Sequence, residues 1–144
     1  MAYFRIKAAG NNNSALNHVL SKLGTILSQK QNQDVLFLVS QINVAKNDDR
    51  IEQILGGTVF KELVKKRVSF SAGSGVNFEL QPYDYLIKNN HRAFDRTVVV
   101  LNPTTQDLDA IVQNTNSTID WIAVEMTLDG ELDSWVQANQ ATDI

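Results

Sequence analysis

The sequence predicts an α/β fold: a three-layer sandwich with a mainly parallel, mixed sheet and an inserted β-hairpin. Three observations lead there. Val35–Val39 and Thr97–Leu101 are short, continuous, apolar runs of the kind covered on both faces of a parallel sheet. An amphipathic stripe follows the first strand, as a helical crossover between parallel strands requires. The elements read β-α-β-α-hairpin-β-α-β-α, the alternation of layered α/β proteins. At 144 residues, with no repeat, low-complexity block or linker, residues 1–144 read as one domain.

Each element has its own signal. Tyr3–Ala8 alternates, with Phe4, Ile6 and Ala8 on one face and Tyr3, Arg5 and Lys7 on the other, as in a half-buried strand near a sheet edge. Ala9–Asn13 is a turn, and a helix is expected from Asn13 or Ser14. Leu16, Val19, Leu20, Leu23, Ile26 and Leu27 form its apolar stripe. Val35–Val39 is a central strand. Asp49 and Glu52 have capping-box spacing for a helix bearing Ile51, Ile54 and Leu55. Gly56-Gly57 either interrupts that helix or divides two short ones.

Arg67–Ser71 and Val76–Leu80 alternate about Ala72-Gly73-Ser74-Gly75 and read as a hairpin. Gln81–Arg96 has no clean period. Thr97–Leu101 is the second buried strand, stopped by Asn102-Pro103. Thr104 or Thr105 caps a helix carrying Leu108, Ile111 and Val112. Trp121–Met126 is the last strand. Asp129 is the expected cap of a final helix with Leu132, Trp135 and Val136 on its face, and Ala138–Ile144 reads as a frayed tail.

The chain is 43% hydrophobic and 20% charged, which suits a globular protein rather than a disordered one. No apolar run approaches the roughly 20 residues of a membrane span, so no membrane association is expected. The N-terminus lacks a long apolar h-region, and a cytoplasmic location is the expectation. The absence of cysteine removes disulfides, cysteine–zinc sites and a cysteine nucleophile. Charge is unevenly spread. Residues 97–144 hold eight carboxylates and no Lys or Arg, whereas all 13 basic residues lie in 1–96 against eight acidic ones. Such a split marks a contact between subunits, or a fold that mixes the charges again, and the second is preferred.

In open α/β sheets ligands bind beyond the carboxyl ends of the strands. Here those loops are 10–13, 41–47, 102–105 and 127–130. Asn11, Asn12, Asn102, Thr104 and Thr105 are the candidate ligand residues, converging on a small anionic ligand with helix amides. The simpler reading is that they cap helices. Gly73-Ser74-Gly75 lacks the third glycine of a dinucleotide fingerprint, since Phe78 stands there, and a strand follows instead of a helix. No P-loop or nucleophile elbow is present. Two histidines, His18 and His91, are too few for a histidine metal cluster, and the carboxylates have no recognisable Mg²⁺ spacing. No metal or cofactor is predicted. Glu125, polar in an apolar strand, faces a pocket as a general base or occupies the strand's end, the latter preferred.

Tyr83–Arg96 interleaves aromatics with Lys88, His91, Arg92 and Arg96, the chemistry of stacking on bases, with Lys61–Arg67 as an extension; a lid or subunit contact is the preferred functional reading, and a loop packed onto the core is preferred over both. His91 and Arg92 join the candidate residues. The net charge of −3 and pI near 5.3 make nucleic acid an unfavoured partner. The leading expectation is a non-catalytic binding or regulatory protein, with self-association open. The alternatives are a small enzyme or binder acting on a phosphorylated or nucleotide ligand, and nucleic-acid binding through 61–67 and 88–96.

Overall fold

The two apolar runs read from the sequence lie side by side at the centre of the sheet. The computed structural model describes residues 2–93, 95–113 and 119–144. Among them the strands are β1 (Tyr3–Lys7), β2 (Asp34–Val39), β3 (Phe70–Ser71), β4 (Asn77–Pro82), β5 (Thr97–Leu101), β6 (Asp120–Glu125) and β7 (Thr142–Asp143). Their spatial order is β3-β4-β2-β5-β6-β1-β7. Every neighbouring pair is parallel except β3–β4. β5 is buried at all its positions, because strands flank it and helices cover both its faces.

The helices divide by chain order. The segment Gly10–His18, then α1 (Val19–Leu27), α2 (Ile42–Ala45), α3 (Asp49–Leu55) and α4 (Gly57–Phe60) cover one face. Their apolar residues pack on Ile6, Val35, Phe37, Val39, Phe78, Leu80, Val99, Leu101, Ile122 and Val124. α5 (Asp84–Lys88), α6 (Thr105–Val112) and α7 (Asp133–Asn139) cover the other face, packing on Leu36, Leu38, Val98, Val100, Trp121 and Ala123. The period of two in each strand thus feeds two separate cores. The fold is the expected α/β sandwich with a mostly parallel mixed sheet.

Several local expectations change. The first helical stretch begins at Gly10 as a 3₁₀ segment and becomes α-helical only at Val19. Gly10 and three asparagines are poor α-helix formers, which suits the looser start. Asp48, not Asp49, caps α3: its carboxylate accepts the Arg50 N–H at 2.9 Å. Gly56, at φ +82°, divides α3 from α4, so the sequence encodes two short helices there. A π-helical turn, Lys61–Lys65, follows.

β3 keeps only two residues of the expected Arg67–Ser71 strand. Arg67 is left-handed (φ +59°), and the Val68 N–H bonds Glu62 O at 3.0 Å instead of β4. β4 itself is a full member of the parallel sheet. The aperiodic stretch after it folds as α5 and a 3₁₀ turn, Asn90–Ala93. Thr104 caps α6 through a capping box with Asp107. Asp129 does not cap α7, which starts at Asp133; it pairs with Lys7 at 3.3 Å. The tail is not frayed. Thr142–Asp143 joins the sheet beside β1, and the Ile144 N–H bonds Arg5 O at 3.0 Å.

Two substitutions test this account. Asp48→Ala lowers the unfolding free energy by about 1 kcal/mol in urea titration, whereas Asp49→Ala costs only a few tenths. Thr97 is fully buried, and its hydroxyl has no hydrogen-bond partner among the described residues. Thr97→Val therefore raises stability by about 1 kcal/mol, because an unsatisfied buried hydroxyl is replaced by a methyl of similar volume. A loss of stability in that variant would show that the hydroxyl is satisfied.

Candidate functional site

The sheet has three points where adjacent parallel strands send their connections to opposite faces. At β2/β5, β2 leads to α2 on one face and β5 to α6 on the other; at β1/β6 the connections diverge likewise; and at β2/β4, β4 leads to α5 on the face opposite α2. These are the crevices where open α/β sheets bind ligands. At the first, Asn102 is left-handed (φ +58°), and its Oδ1 accepts the Thr127 hydroxyl at 2.7 Å, tying the β5 and β6 loops together. The Thr104 Oγ1 accepts the Asp107 N–H at 3.1 Å, and the Thr104 N–H donates to Asp107 Oδ2 at 2.9 Å. The Thr105 Oγ1 lies 3.5 Å from Glu131 O and 3.4 Å from Ser134 Oγ. The Tyr83 hydroxyl fills the floor, donating to Leu101 O at 2.6 Å, and burial pushes its pKa up.

At the second crevice Glu125 is completely buried. Its Oε1 accepts the Gly130 N–H at 2.9 Å, and its Oε2 accepts the Leu132 N–H at 3.0 Å. Arg5, only 4% exposed, donates to the same Oε2 at 3.2 Å. Its guanidinium also bonds Asp133, and it grips Asp143 through two bonds of 2.7 and 2.9 Å. The Arg5 hydrogen bonds hold the Asp143 carboxyl below its ordinary range. Glu125 is thus the last residue of β6, as preferred from the sequence, and its carboxylate is engaged by two amides and Arg5 rather than free as a general base. It is the anion that occupies the amides ahead of α7.

Of the candidates, Asn102, Thr104 and Thr105 share one loop with Thr127 beside it. Asn11 and Asn12 lie exposed beyond β1, on the far side of β6 from β5. Arg92 stacks over the Tyr85 ring at 4.5 Å and donates to Tyr85 O at 3.3 Å. The His91 side chain and Phe94 lie outside the described residues. His18 is exposed at the junction of the 3₁₀ segment and α1.

The two basic segments do meet, on β4. Arg67 donates to Leu80 O at 2.7 Å and to Gln81 Oε1 at 3.3 Å, and Arg96 bonds Glu79 at 2.7 Å. Burial alone would raise the Glu79 pKa, but the Gln81 amide and Arg96 bring it below the ordinary value.

Of three described cavities, two lie away from the carboxyl ends of the strands and one lies beside the last residues of β4. One of about 290 Å³ is lined by Asp34, Asn77, Glu79 and Arg96, at the amino ends of β2 and β4. A smaller one of about 80 Å³ lies beside Arg67 and Gln81. The third, about 440 Å³, runs between α1 and β1 past Phe4, Ile26, Lys30 and Ile144. Among the described residues no group of three or more His, Cys, Asp or Glu is placed to hold a metal ion, and no helix is long and apolar enough to cross a membrane.

The charge split is largely resolved inside the fold. Arg5 pairs with Glu125, Asp133 and Asp143, Lys7 with Asp129, and Lys30 with Asp120. The mixing expected from the sequence has this cause: β1 lies between β6 and β7. Sequence reasoning missed Arg5, although a lone arginine in an alternating strand, and a cation-free acidic third, were visible signals.

Fold and site together define an α/β protein whose sheet end is closed by a buried ionic cluster. Comparison with known proteins finds no matching family model, no matching curated protein and no matching solved structure.

Two outcomes follow from the cluster. Arg5→Met leaves the buried Glu125 without its ion-pair partner, held only by two amides, and lowers stability at pH 7 by about 3–5 kcal/mol. Asp143, Asp48 and Glu79 all have lowered pKa values. Their stabilisation is complete above the ordinary carboxylate range and is lost as pH falls through the lowered values. Urea midpoints should hold from about pH 7 to 5 and drop below about pH 4. Asp143→Asn makes that acid limb shallower; an unchanged limb would remove the clasp from the account.

Proposed function

We propose that this is a non-catalytic binding or regulatory protein of the cytoplasm that works through its surface rather than through a cleft. One observation carries the reading. Three amide donors at the β1/β6 and β2/β5 crevices are held by the protein's own carboxylates: Glu125 takes those of Gly130 and Leu132, and Asp107 takes that of Thr104. A phosphorylated ligand at either place would compete with an internal anion already in position. Surface apolar residues such as Val44 and Leu128, on the segments after β2 and β6, are available to a partner.

A second reading, contact with a polyanion, is favoured by the meeting of the two basic segments at β4, where Lys61 and Lys65 stand exposed. Its weakness is that Tyr83 is buried and the Tyr85 ring already carries Arg92, so these aromatics are occupied.

A thermal-shift screen against nucleotides, sugar phosphates, inorganic anions, divalent metals and a single-stranded oligonucleotide tests both. A ligand at 100 times its dissociation constant adds about 2.7 kcal/mol, readily seen as a raised midpoint. The first reading expects no saturable shift with the small molecules; one with a nucleotide or sugar phosphate would overturn it. The second expects an oligonucleotide shift that fades with salt and is lost in a Lys61→Glu/Lys65→Glu variant.

A further inference from the structure

We propose that the C-terminal segment Ala141–Ile144 exchanges between two copies of this chain, each copy clasping the other's Asp143 with its own Arg5. This extends the surface-binding reading by naming a partner, a second copy, and a ligand screen and an association measurement can fail independently.

The segment is built to detach. β7 has only two register pairs, Phe4–Thr142 and Arg5–Asp143, and both its residues are exposed. It is the outermost strand, and the apolar contacts its segment gives up are only those of the partly buried Ala141 and Ile144 at the margins of the two cores. Its polar holds are the two Arg5 bonds to Asp143, the Ile144 N–H to Arg5 O, and Lys22 Nζ to Ile144 O at 2.9 Å, beside the packing of Ile144 on the first core. All of these form as well with a segment from another copy, because the receiving site lies on β1 and α1 and the donated groups lie beyond residue 140.

The connection favours the exchange. α7 ends at Asn139 and β7 begins at Thr142, so Gln140 and Ala141 make the whole turn. Gln140 sits at φ +52°, a left-handed conformation that costs a non-glycine residue free energy. Short hinges under strain invite swapping, since extending the hinge relieves the strain while the docked contacts are kept. Against this, opening gives up the Ala141 N–H bond to Val136 O at 2.9 Å. The charged groups facing the clasp are Glu125 on β6, Asp133 on α7, and Lys7 with Asp129 nearby. None belongs to the moving segment, so the receiving site stays assembled when it leaves.

Light scattering after gel filtration, over a concentration series at pH 7, reads the exchange. The wild-type chain is expected to show a dimer fraction that rises with concentration. Gln140→Gly removes the strain in the closed hinge and should weaken association about tenfold for each hinge. Gln140→Pro cannot adopt φ +52° and should shift the chain towards dimer. Two results would overturn the proposal: wild type and Gln140→Pro both monomeric up to the solubility limit, or a dimer whose association constant ignores the Gln140→Gly substitution. The second result would describe two copies docked face to face without exchange.

Discussion

The guanidinium of Arg5 is the contact on which one end of this molecule depends. It lies on β1 with its partners 120, 128 and 138 residues away in sequence. β1 must turn Phe4 and Ile6 towards the first core, so strand alternation commits Arg5 to the other face, under α7. A cation in that position costs several kcal/mol in desolvation unless it is well paired. Three carboxylates from β6, α7 and β7 supply that pairing. The cluster therefore specifies which strands flank β1 as much as it stabilises them, and the first strand of the chain is closed by its last segments.

The same cluster governs the chemistry available at the carboxyl ends of the strands. In many α/β proteins free amides at helix starts receive an anion from outside. Here Glu125 reaches across from β6 to the amides of Gly130 and Leu132, and the Thr104–Asp107 capping box does the same job at α6. The fold retains the crevices of its architecture but fills donor sites at two of them internally. The two larger described cavities lie instead at the amino ends of strands or along the sheet's flank, where side chains such as Lys30 with Asp120, and Arg96 with Glu79, are already paired.

Both edges of the sheet are short and guarded, as solvent-facing edges must be. On one side Arg67 turns β3 away after two residues and places its guanidinium on Leu80 O. Pro82 ends β4 without a backbone donor. On the other side the two residues of β7 cover β1, held by charge more than by apolar packing. The two guards differ in kind. Arg67 is continuous with a packed helical turn containing Leu63 and Val64, whereas β7 hangs from a two-residue hinge.

The sequence by itself determined the layer order, the two central strands, the first apolar stripe and the α6 cap. Those features follow from local periodicity and from side chains acting on backbone a few residues away, so β2, β5 and a cap at Thr104 or Thr105 were legible in it; the Asp107 half of the capping box came from the structure. It misplaced the caps of α3 and α7 by one and three residues: Asp48 and Asp49 had comparable claims at α3, and at α7 the cap position is Leu132, which offers no capping side chain. Only the tertiary structure decided that β1 lies between β6 and β7. Strand order depends on contacts more than a hundred residues apart, which no local pattern encodes. From that placement came the burial of Arg5, the engagement of the strand-end Glu125 by Arg5, the ordering of the tail as β7, and the pairing of the acidic third with the basic N-terminus. Among the candidate residues, Asn102, Thr104 and Thr105 could be grouped from sequence because they are adjacent in it. Whether they had free hydrogen-bonding groups was decided by Thr127, Asp107 and Glu131, the first and last of which only the folded sheet brings near.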